Sequence, residues 1–245
     1  MRYGQSLKFA AKTDIGNRRE KNEDAFRINE RFGLAVVADG VGGAPAGEIA
    51  SRCAVNEIEN YVIDNVGDQA PLSTLRNAFA LANEVINKKA SRDRSLYGMS
   101  TTVVACLATL EYVFVAHVGD SRAYLATRSD IRCITNDHSL VAELVSSGHL
   151  APEEAQHHPY RHVITRALGF GAHTQTELGT FSWDCGSYLL LCSDGLTEAI
   201  TDHMIYTAII AEKVTDLHRK CARLVQLANA EGGSDNVTVI LVEHT

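Results

Sequence analysis

Four aspartates stand at the ends of short apolar runs, a placement that suits metal binding. Runs of this length bounded by glycine and aspartate predict buried strands. In an antiparallel sheet the end of one strand lies beside the start of its neighbour, so the four carboxylates could gather on one edge. Carboxylates brought together repel strongly, so such a cluster predicts bound cations. The four are Asp39 after residues 34–38, Asp120 after residues 113–118, Asp194 after residues 188–192 and Asp235 before residues 237–242.

Asp39 is the strongest ligand of this set, because its two oxygens could bridge two cations while the Gly40 carbonyl binds one of them. Asp194 and Asp235 are expected to complete the site around the second ion. Ligands that are all oxygen donors select hard ions such as Mg²⁺ or Mn²⁺ over zinc. The competing interpretations are local: an Asp-Gly turn at Asp39, a hairpin-turn aspartate at Asp120 and a turn residue at Asp235. The second Asp-Gly step after an apolar run, at Asp194, weighs against the first of these.

A basic and acidic segment near the start of the chain could contact the same site. Arg19 has the planar fork that best holds a phosphate through two hydrogen bonds, although a surface arginine is the simpler interpretation. Glu23 and Asp24 could orient metal-bound waters, or form a solvated acidic turn. A divalent metal makes hydroxide available near neutral pH, so this set of residues favours direct in-line hydrolysis of a phosphate ester by a metal-bound water or hydroxide. No cysteine begins a Cys-x5-Arg loop, so a thiolate mechanism has no support.

The spacing of apolar residues predicts strands, two helices, strands, two helices and a last strand. Several strands are apolar on both faces, which predicts an α+β fold: two stacked antiparallel sheets flanked by helix pairs. The runs 99–110, 112–118 and 121–127 are separated by one to three residues, so they are predicted to form antiparallel hairpins. The other predicted strands are 7–13, 24–29, 33–38, 130–135, 176–182, 187–192 and 236–243, and the predicted helices are 46–64, 72–90, 139–147, one turn at 152–154, 202–211 and 215–230.

The composition is that of an ordinary globular protein, with 245 residues, 45% hydrophobic residues and a net charge of −7. We expect a single domain over residues 1–245. The acidic balance argues against general nucleic-acid binding, and no apolar run approaches the roughly 18 residues of a membrane span. The six cysteines form no Cys-x2-Cys pair and are expected to be free thiols in a reducing cytoplasm.

A series of motifs, in order along nearly the whole chain, resembles the metal-dependent, type 2C (PPM) protein serine/threonine phosphatases. Each motif alone is weak, but the set is specific, and the compact length is similar to that of the bacterial branch. The motifs lie at 13–24, at Asp39-Gly40-Val41-Gly42-Gly43 with 47–51, at 98–102, at Val118-Gly119-Asp120-Ser121-Arg122, at Asp137-His138-Ser139, at 165–169, at Ser193-Asp194-Gly195-Leu196 and at 234–238.

The resemblance implies the family's α-β-β-α sandwich and a set of roles. Asp39 would bridge two metals, Mn²⁺ or Mg²⁺, with the Gly40 carbonyl on one and Asp194 and Asp235 on the other. Arg19 would hold the substrate phosphate. Asp120, with Asp194, would form a third and weaker metal site. The segment 138–166 matches a variable flap beside the active site. Its basic cluster, Arg161, Arg166, His157, His158 and His162, either contacts phosphopeptides or is a solvated loop.

The chain departs from the family at the loop after Asp39. Animal members carry a histidine directly after the metal-binding Asp-Gly, proposed as the general acid, and this chain has Val41. Many bacterial members carry one after the following Gly-Gly, and this chain has Ala44-Pro45. No histidine of this loop can protonate the leaving serine or threonine oxygen. A metal-bound water is the expected donor, with His138 as a second choice.

The expected activity is therefore hydrolysis of phosphoserine and phosphothreonine in proteins that a Ser/Thr kinase has phosphorylated, by a monomer in the cytoplasm that binds neither nucleic acid nor membrane. Two alternatives remain open. A catalytically silent member that binds phosphoproteins should have lost a ligand carboxylate, and calorimetry that shows no metal binding would favour it. A hydrolase of small phosphate esters would prefer nucleotides over phosphopeptides as substrates.

Overall fold

The chain folds into two five-stranded antiparallel sheets, in a computed structural model that describes residues 6–41, 46–155, 157–212 and 214–245. One sheet has the order β2-β3-β4-β5-β8 and the other the order β1-β10-β9-β6-β7. The strands are β1 (Leu7–Asp14), β2 (Asp24–Asn29), β3 (Leu34–Gly40), β4 (Thr101–Ala108), β5 (Tyr112–Val118), β6 (Arg122–Ala126), β7 (Ile131–Cys133), β8 (Glu177–Ser182), β9 (Tyr188–Cys192) and β10 (Val237–His244).

Helices cover the outer face of each sheet. Two long helices pack on the sheet that contains β3, and a group of helices near the end of the chain packs on the sheet that contains β10. The predicted α-β-β-α sandwich and the predicted helix pairs are confirmed. The helices are α1 (Gly47–Asn65), α2 (Pro71–Arg92), α3 (Leu140–Ser146), α4 (Pro152–Ala155), α5 (Asp194–Thr197), α6 (Asp202–Tyr206), continued by a π-helical segment at Thr207–Ala211, and α7 (Leu217–Ala230).

Strand β3 shows why these sequences form buried strands. Its five apolar residues are all fully buried, and their side chains alternate between the two faces of the sheet. Val36 packs against the helices, whereas Ala35 and Val37 pack into the core between the sheets. Period-two alternation with apolar residues on both faces is the pattern of a strand covered on both sides. The apolar runs are therefore buried on both faces of the sheet, and this burial fixes the positions of the strand ends.

One predicted connection is wrong. The run 121–127 was expected to form a hairpin with the run 112–118, but β5 pairs with β4 and β8, whereas β6 pairs with β7 and β9. The chain crosses from one sheet to the other between β5 and β6. Gly119 makes the turn with a φ of +103°, and a Cβ at this position would meet the Thr102 side chain at 2.5 Å. A short linker excludes a crossover helix but does not say which sheet the next strand joins.

The segment between β7 and β8 matches its predicted elements. Ser139 caps α3, accepting a hydrogen bond from the Ala142 N–H at 3.3 Å, and Gly148 ends the helical stretch with a φ of +74°. The predicted helical turn after Ala151 is α4. The one-turn helix α5, which begins at Asp194, was not predicted.

Candidate active site

Three of the four aspartates meet because three strands of one sheet are neighbours. In the order β10-β9-β6, Asp235 lies two residues before β10, Asp194 two residues after β9 and Asp120 two residues before β6. In antiparallel neighbours these positions share one edge. Asp39 comes from the other sheet, at the end of β3. All four line a cavity of about 510 Å³, together with Arg19, Glu23, Gly40, Val41, Thr102, Arg161, His162, Ile164, Glu198 and Ser234.

Two Asp-Gly steps bring backbones close together at this edge. A Cβ on Gly40 would overlap the backbone of Gly47, the first residue of α1. A Cβ on Gly195 would overlap the carbonyl oxygen of Asn236, beside Asp235. Glycine is required where backbones approach this closely. The predicted Asp-Gly pairs are therefore packing points that place Asp39 and Asp194, and Gly40 lines the cavity.

The carboxylates are crowded and short of protein partners. Asp39 faces Asp24 in the register between β2 and β3, and the Ser193 hydroxyl donates to Asp24 Oδ2 at 2.8 Å. One carboxylate oxygen of Asp24 and one of Asp194 are buried without a hydrogen-bond partner among the described residues. A buried acceptor without a partner is costly, more so when it is charged. The orphaned oxygen of Asp194, which lines the cavity, is a group that a cation would contact.

The pKa values of the site carboxylates also indicate that cations bind here. Burial, followed by the carboxylates of Asp24, Asp194 and Asp120, raises the pKa of Asp39 well above its usual range. Burial, followed by Asp120 and Glu198, does the same to the pKa of Asp194. Burial raises the pKa of Asp120 to about 7 and that of Asp24 to about 6. Protein groups alone thus do not balance these charges. The all-oxygen donor set fits divalent Mg²⁺ or Mn²⁺.

Arg19 lies in the cavity wall, as a phosphate-binding residue must. Its Nη2 donates to Asp235 Oδ2 at 2.5 Å, and Asp235 Oδ1 accepts from the Asn236 N–H at 2.7 Å. The Asn236 side chain also anchors the loop that precedes β2, because its Oδ1 accepts from the Glu23 N–H and its Nδ2 donates to the Lys21 carbonyl. Arg19 and Asp235 therefore lie on adjacent, mutually braced segments. The Glu23 side chain lines the cavity, and burial raises its pKa, followed by the charge of Glu48.

His138, the second-choice proton donor, does not lie in the described wall of the cavity. The Gly119 N–H donates to its Nδ1 at 3.1 Å, so a neutral ring carries its proton on Nε2, which lies 3.3 Å from Glu177 Oε2. The His138 N–H donates in turn to the Gly119 carbonyl at 3.0 Å. The ring stacks on His117, with centroids 4.7 Å apart. This geometry gives His138 a different place: it braces the turn that carries Asp120.

His117, His138 and Glu177 bring possible ligand atoms within 4.8 Å of one another. Both nitrogens of His138 already have protein partners, and Nε2 of His117 lies 2.7 Å from the Asn136 carbonyl. The two rings are nearly parallel, at 9°, so their in-plane lone pairs do not converge on one point. A hydrogen-bonded brace accounts for this cluster better than an ion does.

A bidentate ion pair completes that brace. Nε and Nη2 of Arg122 donate to the two carboxylate oxygens of Asp137, at 2.9 and 2.7 Å. Arg122 follows Asp120 by two residues, and Asp137 precedes His138. The start of β6 and the segment after β7 are thus tied together beside the turn that carries Asp120.

The flap contributes two of the five residues of its predicted basic cluster to the cavity, Arg161 and His162. Nδ1 of His162 lies 2.6 Å from Oε1 of Glu198. Arg166 instead lies by His138, at 3.3 Å. Glu198 was not predicted as a site residue, although its position four residues after Asp194 on a helical turn places the two side chains on one face of the helix. Thr102 belongs to the motif at 98–102 but was not predicted as a site residue, and Ile164 gave no sequence signal. Val41 lines the cavity, and the departure at Ala44-Pro45 lies outside the described residues.

Known proteins with similar sequences and structures are bacterial protein phosphatases. The family model of protein phosphatase 2C matches residues 17–235. Protein phosphatase PhpP of Streptococcus pneumoniae is 38% identical over 237 residues, 94% of each chain. The crystal structure of the serine/threonine phosphatase Stp1 from Staphylococcus aureus superposes with a TM-score of 0.92 at 36% identity, over 99% of this chain and 97% of that one. The catalytic domain of the phosphatase PstP, in complex with two manganese ions, superposes with a TM-score of 0.86 at 34% identity, over 97% of each chain. The chain belongs to the bacterial branch of the protein phosphatase 2C family.

Proposed function

We propose that this chain hydrolyses phosphoserine and phosphothreonine in proteins, in a reaction that depends on divalent cations bound at the strand-end aspartates. The observation that carries the proposal is the group of crowded carboxylates in the cavity, with orphaned buried oxygens on Asp24 and Asp194. The relatives support it, since Stp1 and PstP are named serine/threonine phosphatases. The full set of carboxylates argues against a catalytically silent member.

The proposed ligand roles are unequal. Asp39 would bridge two ions, the Gly40 carbonyl would join one of them, and Asp194 and Asp235 would hold the other. Asp120, with Asp194, would hold a third ion more weakly. Bound Mn²⁺ or Mg²⁺ supplies positive charge opposite the phosphate and a water that ionises near neutral pH. Ligands of this type fit either ion.

Arg19 would hold the substrate phosphate. In the described part of the chain its guanidinium is bonded only through Nη2, to Asp235, so Nε and Nη1 can donate to phosphate oxygens. This contact orients the phosphorus toward the carboxylates. Glu23, in the wall, and Asp24, behind Asp39, would orient waters. In-line attack by one of these waters breaks the ester bond directly, without a covalent enzyme intermediate.

We also propose the domain, the substrates, the oligomeric state and the cellular location of this activity. Residues 1–245 would form one catalytic domain, with 138–166 as its flap, and the two sheets share one core. The substrates would be proteins phosphorylated by a Ser/Thr kinase, and the enzyme would act as a monomer in the cytoplasm. All six cysteines are free thiols, as in a reducing compartment. In the described residues, no helix combines the length and the apolar character that crossing a membrane requires.

Phosphate release from a phosphothreonine peptide tests the proposal. We expect turnover with Mn²⁺, none after EDTA, and none in Asp39→Ala. Arg19→Ala should retain activity but lose roughly 10- to 100-fold in kcat/KM, the worth of one or two charged hydrogen bonds. Arg18→Ala, an exposed neighbour outside the cavity wall, is the matched control and should behave as wild type. Turnover that survives EDTA, or persists in Asp39→Ala, would contradict the metal-dependent mechanism.

A further inference from the structure

The leaving group of this reaction needs a proton. A serine or threonine oxygen departs as a strongly basic alkoxide unless an acid protonates it as the ester bond breaks. The loop after Asp39 holds no histidine, and its undescribed residues, Gly42, Gly43, Ala44 and Pro45, carry no titratable side chain. His138 is committed to the Gly119 turn. A protein side chain that replaces the expected metal-bound water as donor must therefore come from another wall of the cavity.

The residues of the cavity wall limit the choice of proton donor. Apart from the proposed metal ligands, its described ionisable side chains are Arg19, Arg161, Glu23, Glu198 and His162. An arginine stays protonated and cannot give up its proton. His162 is the one imidazole of the described wall, and imidazole is the side chain most suited to proton transfer near neutral pH.

The ring of His162 is held from one side. Its Nδ1 lies 2.6 Å from Oε1 of Glu198, which leaves Nε2 as the nitrogen that can face a substrate. Both side chains are partly exposed, at 49% for His162 and 32% for Glu198, so a substrate can reach them. A carboxylate on one imidazole nitrogen orients the ring and sets which nitrogen reacts.

The pair is tied to the catalytic edge by the backbone. Glu198 follows α5, and its N–H donates to the Asp194 carbonyl at 2.8 Å. On the flap side, the Leu140 N–H donates to the Val163 carbonyl at 2.8 Å. Ser139 forms an isolated antiparallel β-bridge with Ile164. His162 directly precedes this anchored stretch. A flap side chain is thus fixed against the turn that carries a proposed metal ligand.

We propose that His162 is the general acid of this enzyme, donating the proton on Nε2 to the leaving serine or threonine oxygen, with Glu198 as its positioning residue. The step rests on the proposed phosphatase function. Water attacks phosphorus, the P–O ester bond breaks, and its electron pair goes to the leaving oxygen, which takes the proton from the imidazolium. The products are the free hydroxyl side chain and hydrogen phosphate. The proton lost by the attacking water returns, through solvent, to the neutral imidazole.

The test compares substrates with poor and good leaving groups. His162→Ala should lower kcat on a phosphothreonine peptide by about 100-fold or more, the usual worth of a general acid. It should leave kcat on p-nitrophenyl phosphate unchanged, because nitrophenolate departs without a proton. Across a series of aryl phosphates, log kcat should fall more steeply with leaving-group pKa in the variant than in wild type. Glu198→Gln should show the same substrate selectivity with a smaller loss.

His149→Ala is the matched control, since His149 is an exposed flap histidine outside the described cavity wall. In the part of the chain that the structure describes, its side chain bonds only to Ser147. It should match wild type on both substrates. An equal loss on both substrates in His162→Ala, or no loss on the peptide, overturns the assignment of His162 and leaves the phosphatase function standing. A wild-type enzyme with Mn²⁺ that hydrolyses neither substrate overturns both.

Discussion

The carboxylates of Asp137 and Asp194 differ in how protein groups compensate their charge. Asp137 receives both donors of the Arg122 fork, so its charge is balanced inside the protein. Asp194 has a buried oxygen with no protein partner in the described residues, and burial and neighbouring carboxylates raise its pKa. Among the described residues, Asp194 has no arginine partner like the one that Asp137 has. The absence of such a partner is what a site built for metal cations requires.

The histidines behind the Gly119 turn should make stability depend on pH. Burial lowers the pKa of His117, and burial followed by His117 lowers that of His138. A histidine with a lower pKa when folded binds fewer protons in the folded state. Its contribution is therefore present above its unfolded pKa of about 6.5 and is lost as pH falls through the folded pKa.

We expect the free energy of unfolding of the wild type, relative to His117→Gln, to fall as pH drops from 7 to 5. The glutamine amide can still donate to the Asn136 carbonyl, as His117 Nε2 does. Urea denaturation in EDTA at several pH values measures this, and the carboxylates of the metal site titrate in both proteins and cancel in the difference. Parallel pH profiles for the two proteins would contradict the account.

At the scale of elements, the site depends on how strand ends and helix starts approach each other. The Asp-Gly pairs after apolar runs were predictable, because apolar periodicity and glycine mark strand ends. The crossing of the chain between the sheets at Gly119 was not, since a three-residue linker is equally compatible with a hairpin. Which strand becomes the neighbour is decided by long-range pairing, here of β6 with β9.

Gly40→Ala tests the close approach of β3 and α1. Its Cβ would overlap the Gly47 backbone, so we expect a loss of about 1–3 kcal/mol in the free energy of unfolding without metal. Gly171→Ala is the control, because nothing lies within 4 Å of its Cβ and its φ is not in the left-handed region. It should change stability by no more than about 0.5 kcal/mol. Equal effects of the two substitutions on urea denaturation would show that this packing does not constrain the site.

At the scale of the whole molecule, the site exists only when the two sheets stack. Asp39 belongs to one sheet, whereas Asp120, Asp194 and Asp235 lie at strand ends of the other. The strands, the helices and the convergence of Asp120, Asp194 and Asp235 followed from the sequence because they rest on local periodicity and antiparallel geometry. The four aspartates were expected on one sheet edge, and the arrival of Asp39 from the stacked sheet did not follow from the sequence. The pairing of His162 with Glu198 did not follow from the sequence either, because 35 residues and the two strands β8 and β9 lie between them, and only the folded chain brings the flap over the cavity.

Calorimetric titration with Mn²⁺ tests the central claim, that the strand-end aspartates form a site for several cations. The wild type should bind at least two ions, as the related PstP domain does in its manganese complex. Asp194→Asn should bind at least one ion fewer, because Asp194 is proposed to contact two of the sites. The exposed loop variant Asp68→Asn should titrate as wild type. No binding to the wild type, or an unchanged number of ions in Asp194→Asn, would contradict the account.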